Sequence, residues 1–353
     1  MGKIRKLFPD VHELRREVAR QSPNFLSDIE SQLGQQKDEY IRISARVNRG
    51  KFLLLASFFI FLIIFYPGFL DFFSVNNVFS AAVTVLVAII LSHIALKLMR
   101  DSNRVVSQFY NSFKNIIFSK TIRLFGLEGQ RIDKYPKIDL LSHTGYLASL
   151  TKLSINDYLE QSELLTGPKN RVSVDDVMEI SLEDRTLTVA EMSIKQGHGS
   201  RATTVFHGYF ATIDLRSTLQ GRTFISAEGD TSGFGHRQYW SDLLNQGALK
   251  TEFEWNDFEN LLHVASTDPT EARYILAPDF MSELHDWWQE DSQNSRNIRV
   301  SFIGNRMYML FPTYKIKMHQ PTLSVSLIEV QDYVLSISEP LLRVLHLVEK
   351  VDK

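Results

Sequence analysis

The sequence predicts an α+β protein: a mainly antiparallel sheet with flanking helices, preceded by a two-helix transmembrane hairpin and a helical stalk. Three observations carry this expectation. Two nearly unbroken apolar runs lie at 52–70 and 78–98. An apolar pattern spaced by threes and fours precedes them, over 26–47. From about residue 150, short β-rich runs separated by turn residues replace the helical texture, without the strand–helix–strand rhythm of a parallel sheet.

The bulk properties narrow the setting. At 353 residues the chain is long enough for one sizeable core plus accessory segments. Its formal net charge of −2 gives no general electrostatic attraction to nucleic acid. The absence of cysteine excludes disulfides, thiol catalysis and cysteine metal sites, and fits a reducing compartment.

The first apolar run, FLLLASFFIFLIIFYPGFL, closes at Pro67-Gly68. The second, VFSAAVTVLVAIILSHIALKL, has only His93 and Lys97 as ionisable groups. Each approaches the ~20 residues a helix needs to cross a hydrocarbon core. A buried soluble hairpin is the competing reading, but soluble helices seldom stay apolar on every face for so long. The first run also begins too far into the chain for an ordinary signal peptide. Basic residues crowd the outer flanks: Arg42, Arg46, Arg49 and Lys51 before, Lys97, Arg100 and Arg104 after. The link DFFSVNN (71–77) carries only Asp71. That asymmetry places both termini in the cytoplasm of a multi-pass inner-membrane protein. The expected organisation is a cytoplasmic N-terminal helical segment (1–51), the hairpin (52–98), juxtamembrane helices (99–150) and a cytoplasmic α+β domain (151–353).

In the stalk, Leu26, Ile29, Leu33, Gln36, Tyr40, Ile43 and Val47 follow coiled-coil spacing, with Ser22-Pro23 as a plausible helix start. Val105, Phe109, Phe113 and Ile116 mark a second helical face. Pairing of the two within one chain and pairing between chains of a homo-oligomer both remain open. Residues 1–20 are basic and partly amphipathic; packing on a neighbour outweighs lying on a membrane surface.

The C-terminal domain opens with a helix over 150–165. Strands follow at 178–183, 187–194, 203–215 and 222–228. The segments 195–202 and 229–238 read as loops from their glycines. A short helix or turn and a strand occupy 255–266, and 272–276 is either a strand or a helix entry. A helix over 278–290 has Pro278 and Asp279 in its first turn. A hairpin turning at Gly304-Asn305 joins 298–303 to 306–311. A closing helix, 326–350, is interrupted at Pro340.

YLEQSELLTGPKNRVSVDDVMEISL, FHGYFATIDLRSTLQGRTFI, FENLLHVASTDPTEARYILAPDFMSEL and RVSFIGNRMYMLF carry a family likeness. Over roughly 156–311 the chain resembles the bacterial domain of unknown function family numbered 3137. The most specific blocks are Phe206-x-Gly208-x-Phe210, Gly221-Arg222-Thr223, and Glu271-Ala272-Arg273-Tyr274 with Pro278 and Met281. Ala277 departs from the family's usual threonine. The resemblance implies a membrane location and this fold, assigns no activity, and suggests a LemA-type membrane protein as a partner.

The candidate chemistry is sparse. GHGSRA (197–202) matches a dinucleotide fingerprint in letters, but strand-like residues follow where a helix is required. GDTSG (229–233), with Asp230 and His236, is not a nucleophile elbow and reads as a polar loop. His198, His207, His236, His263, His285 and His319 are scattered singly, so no metal site is expected, and no cofactor. Glu271 and Arg273 share a face if 271–276 is extended and diverge if it is helical. Fixing the joint between sheet and helix outweighs ligand contact, and catalysis ranks last. Glu271, Arg273, Tyr274 and Trp288 are the candidate partner or ligand contacts. On a helix Trp287 and Trp288 point about 100° apart, so one is expected in the core and the other at a surface.

The functional expectation is a non-enzymatic, membrane-anchored domain that binds a protein or lipid partner, with no role for nucleic acid. The alternative is a membrane-anchored enzyme using Glu271, Asp230 or His236 in the sheet–helix cleft, on a lipid head group or a nucleotide. Transport ranks below both, because neither span carries an acidic residue.

Overall fold

The computed structural model describes residues 8–64, 77–132, 155–165, 171–182, 185–196, 203–227, 236–290, 298–312 and 326–351. The chain divides into two compact units. One comprises 1–20, 118–318 and 331–353; the other comprises 21–117 and 319–330.

The first unit is built on one nine-stranded sheet, antiparallel throughout, with the order β1-β2-β3-β4-β9-β8-β5-β7-β6. The strands are β1 (Glu128–Ile132), β2 (Arg171–Leu182), β3 (Arg185–Gln196), β4 (Thr203–Asp214), β5 (Arg222–Ala227), β6 (Leu249–Lys250), β7 (Leu262–Ser266), β8 (Arg299–Ile303) and β9 (Arg306–Pro312). The predicted antiparallel α+β class is therefore found. β8 and β9 turn through Gly304, whose φ of +60° suits the first position of a type II′ hairpin.

Both faces of the sheet are covered, which is why β4 reads as a nearly continuous apolar run rather than an alternating one. On one face α3 (Ile155–Gln161) and the turn after it bury Ile155, Leu159, Leu164 and Leu165 against Ala190, Met192, Phe206, Phe210 and Leu310. Further along that face α4 (His236–Asn245) sets Leu243 against Phe224 and Ala265. The opposite face carries α7 (Pro278–Glu290), whose Phe280 meets Phe302 and whose Trp287 meets Phe311. The short α5 (Asn256–Leu261) leads into β7, and α6 (Pro269–Ile275) leads out of it.

Several boundaries differ from expectation. β1 lies in the segment 99–150 expected to be helical, α4 begins inside the expected loop 229–238, and β6 matches no predicted element: β1 is short and polar, β6 has two residues, and α4 lacks an apolar stripe long enough to show. β2 starts at Arg171, well before 178, because the Val174/Val177 irregularity absorbs Asp175 and Asp176 without ending the strand. The closing helix α8 (Leu327–Val351) continues through Pro340 instead of breaking there. Proline removes one helical hydrogen bond, but Val334, Ile337, Leu341, Leu342 and Leu345 are buried on both sides of it and hold the axis.

The chain's first helix, α1 (Val11–Ile64), starts at a reciprocal cap and not at Ser22-Pro23. The Glu13 amide donates to Asp10 Oδ1 at 2.8 Å, and the Asp10 amide donates to Glu13 Oε2 at 3.2 Å. Pro23 lies inside the helix. Within the first unit, this N-terminal end is tied to α8 and α7. Arg15 pairs with Glu339. His346 faces Glu283 Oε1 at 3.2 Å through Nδ1 and the Pro9 carbonyl at 3.0 Å through Nε2. The hydrogen bond from His346 holds the Glu283 carboxyl below the usual carboxylate range, against the opposing effect of burial; Lys350 and Arg343 add to the lowering.

The second unit contains the rest of α1 and most of α2 (Asn77–Leu124). Buried positions along the start of this part of α1 include Ser22, Phe25, Ile29 and Leu33. Ile29 and Leu33 match the predicted stripe, whereas Phe25 replaces Leu26 and Ile43 is only half-buried; the side chains of Gln36, Tyr40 and Val47 lie outside the described residues. On α2, Phe109 and Phe113 are buried as expected and Ile117 replaces Ile116, while the side chain of Val105 is outside the described residues. Where the apolar runs pass each other, the Ser57 and Ser92 hydroxyls are 3.0 Å apart, and Ala88 and Ala95 are buried beside them. The large apolar side chains point outward: Phe52 is 72% exposed, Phe58 60% and Ile89 59%, with Leu55, Phe59, Leu86, Ile90, Ile94 and Leu96 also exposed. Among the described residues no helix is long and apolar enough to cross a membrane. The expected hairpin (52–98) includes residues 65–76, which lie outside that set.

Candidate functional site at the sheet–helix joint

Asp268-Pro269-Thr270-Glu271 folds as a helix start. Asp268 Oδ1 receives the amides of Thr270 (3.0 Å) and Glu271 (3.1 Å), and Pro269 occupies the first turn, where its missing N–H costs nothing. The segment 269–275 is thus helical, which settles the strand-or-helix alternative left open by sequence. Glu271 and Arg273 diverge and make no pair with each other.

An acid three residues after such a cap ordinarily reaches back to the capping residue's own amide. Here the Asp268 amide is taken instead by the Ser266 hydroxyl, at 3.0 Å. Glu271 is left free to reach across to the β4–β5 loop. Its Oε1 receives the Gln220 amide at 3.0 Å and its Oε2 the Gly221 amide at 2.7 Å. The same loop is held from its other end, where the Leu215 and Leu219 amides donate to the carbonyls of Asn305 and Gly304, each at 2.7 Å. Gly221 is required by space: a Cβ there would lie 2.8 Å from Asp268 Cβ and 3.1 Å from Glu271 Oε2.

Arg222 extends the joint to the other face. Its guanidinium spans both oxygens of Glu163, at 2.8 and 3.0 Å, and donates to the Gln246 carbonyl at 3.2 Å. Glu163 has a φ of +50°, the one non-glycine residue in that region of backbone space among the described residues. Beside it, the carbonyls left open at the end of α3 are met by the sheet: Ser301 Oγ donates to Ser162 O at 2.6 Å and Arg299 to Leu164 O at 2.9 Å. Arg299 is 1% exposed, and its positive charge sits at the negative end of a helix. Sequence reasoning missed Arg299, and it gave Arg222 and Glu163 no role. A buried arginine inside a strand pattern was the only available signal.

The other predicted contacts are placed separately. Arg273 is exposed and donates to the Glu252 carbonyl at 3.3 Å. Tyr274 is 82% exposed on the same short helix. On α7 Trp287 is buried and Trp288 half-buried, as the 100° offset requires. Glu271 and Arg273 therefore do different things, and Tyr274 and Trp288 stand on different helices. Chemically the joint is a clasp: both Glu271 oxygens are occupied by backbone amides. Among the described residues no group of three or more His, Cys, Asp or Glu side chains is placed to hold a metal ion. GHGSRA, GDTSG with Asp230, His198 and His319 lie outside the described residues, as does the side chain of His236.

Comparison with known proteins adds the following. Residues 204–353 match the family model described as "Protein of unknown function (DUF3137)". The resemblance read from sequence is thereby shown, shifted toward the C-terminus so that it takes in α8. No curated protein matches the chain. Among solved structures, the crystal structure of the mycobacterial trehalose monomycolate transport factor A, TtfA, aligns with 6% identity and a TM-score of 0.29, covering 64% of this chain and 95% of that one. A likeness of that size carries no argument.

Proposed function

We propose that this DUF3137-like chain is a membrane-anchored binding protein: the helices around 52–98 anchor it in a bacterial inner membrane and the α+β domain engages a protein or lipid partner at the cytoplasmic face. The carrying observation is the inverted polarity of the helix pair, with serine and alanine at the helix contact and phenylalanine, leucine and isoleucine outside. In water that arrangement exposes apolar surface at no gain. In lipid it is favoured, because close packing of small residues drives helix association where the hydrophobic effect does not. On the domain, the joint presents Arg273 and Tyr274 outward on α6, suiting them to contact rather than catalysis.

In-cell crosslinking of the full chain, followed by purification in mild detergent, tests the binding half. A partner recovered with the full chain and lost on deletion of 150–353 is the expected result. The same set of partners without the domain would refute it.

A further inference from the structure

The hairpin's apolar belt ends abruptly in cations on both helices. Ser57 and Ser92 fix the level at which the antiparallel helices cross. Eight residues back along α1 from Ser57 stands Arg49, and eight residues forward along α2 from Ser92 stands Arg100. At 1.5 Å per residue both lie about 12 Å from the serine contact, at one level. Lys51 and Lys97 fall within about 5 Å of that level on the apolar side. All four are exposed, and Lys51 and Lys97 directly adjoin the exposed Phe52 and Leu96 in sequence. No Asp or Glu occurs in 40–64 or 77–100. The first acids beyond the band are Glu39 and Asp101; Asp38 and Glu39, with Arg42, Ile43 and Arg46, line a cavity of about 410 Å³. Arg42 and Arg46 thus have carboxylates close by, and the excess positive charge concentrates in the band above them.

Resting on the anchoring read above, we propose that Arg49, Lys51, Lys97 and Arg100 form a collar that binds the phosphates of anionic phospholipids in the adjoining leaflet. Arginine and lysine stems extend along apolar surface while their heads reach the headgroup layer. Each cation near the surface is worth about fivefold in affinity for an anionic leaflet. The collar gives the hairpin a lipid preference as well as a depth.

The test uses the full chain reconstituted into phosphatidylcholine bilayers containing trace spin-labelled phosphatidylglycerol or spin-labelled phosphatidylcholine. Electron spin resonance reads the motionally restricted fraction of each. The expected result is severalfold selection of phosphatidylglycerol by the wild type, falling to parity in high salt. It should reach parity also in Arg49→Gln/Lys51→Gln/Lys97→Gln/Arg100→Gln, and persist in the charge-keeping Arg49→Lys/Arg100→Lys. Equal restriction of both lipids by the wild type overturns the collar and leaves anchoring intact. Selection that survives both high salt and the fourfold variant also overturns it. No restricted fraction with either lipid overturns the anchor itself. Should the fourfold variant fail to reconstitute, the wild-type and salt arms decide alone.

Discussion

Gly221 and Glu271 form a single contact, and the prediction at residue scale follows from its geometry. Gly221→Ala forces a methyl group against Asp268 Cβ, which is fixed by the helix start it caps. The expected cost is that of overpacking, about 1–3 kcal/mol, read as a lower melting temperature of the full chain in mild detergent. Glu271→Ala leaves the Gln220 and Gly221 amides without their acceptor, and because the site is only half-buried the expected loss is about 1 kcal/mol. Glu271→Gln keeps one acceptor oxygen and should fall between wild type and alanine. An unchanged melting temperature in both Gly221→Ala and Glu271→Ala would show that the loop is not held there. The importance of Glu271 at the joint between sheet and helix was legible in the sequence, although the strand-or-helix alternative stayed open there. Its partner was not, because nothing local says that Ser266 takes the Asp268 amide and frees the carboxylate to cross some fifty residues of sequence.

Elements were legible where they rest on one strong local signal. The β8–β9 hairpin follows from Gly304-Asn305, and α7 from its proline–aspartate start and apolar stripe. A helix start at Ser22-Pro23 and a break at Pro340 were expected from local chemistry, and both are overridden by burial on either side of each proline. The buried Arg299 belongs to the same scale: it exists to close the end of α3 across 135 residues of sequence, which no strand pattern reveals. Arg299→Met, similar in length and without donors, leaves the Leu164 carbonyl unsatisfied. A destabilisation of about 1–3 kcal/mol is expected by chemical denaturation; an unchanged midpoint would deny Arg299 that role. In the helix pair, Ser92→Leu puts a large side chain where the serines touch. Reduced helicity and a lower melting temperature by circular dichroism in detergent are expected. No change would mean that the Ser57–Ser92 contact does not set the packing.

At the scale of the molecule, the sheet domain gathers its N-terminal helix through His346 and Glu283. The Glu283 carboxyl titrates below its ordinary range in the folded state. Its contribution to stability is therefore complete above the ordinary carboxylate value and lost as pH falls through the lowered one. Thermal melts of wild type from pH 7 down to pH 3 should show that acid-side loss, and His346→Ala should show less of it. Equal acid dependence in the two would remove His346 as the cause. Fold class was readable at this scale from texture alone, whereas the order of nine strands was not, since β9 returns to lie beside β4 by pairing that local pattern does not encode.

Because the chain has no cysteine of its own, a single introduced one reports its surroundings without background. The most direct test of the anchor is aqueous maleimide labelling of opened cells carrying Phe58→Cys, Ile89→Cys or, as an exposed reference, Glu30→Cys. The anchored arrangement predicts that positions 58 and 89 stay unlabelled until detergent is added, while position 30 reacts in both conditions. Labelling of 58 and 89 as fast as 30 without detergent would contradict a membrane around the apolar belt.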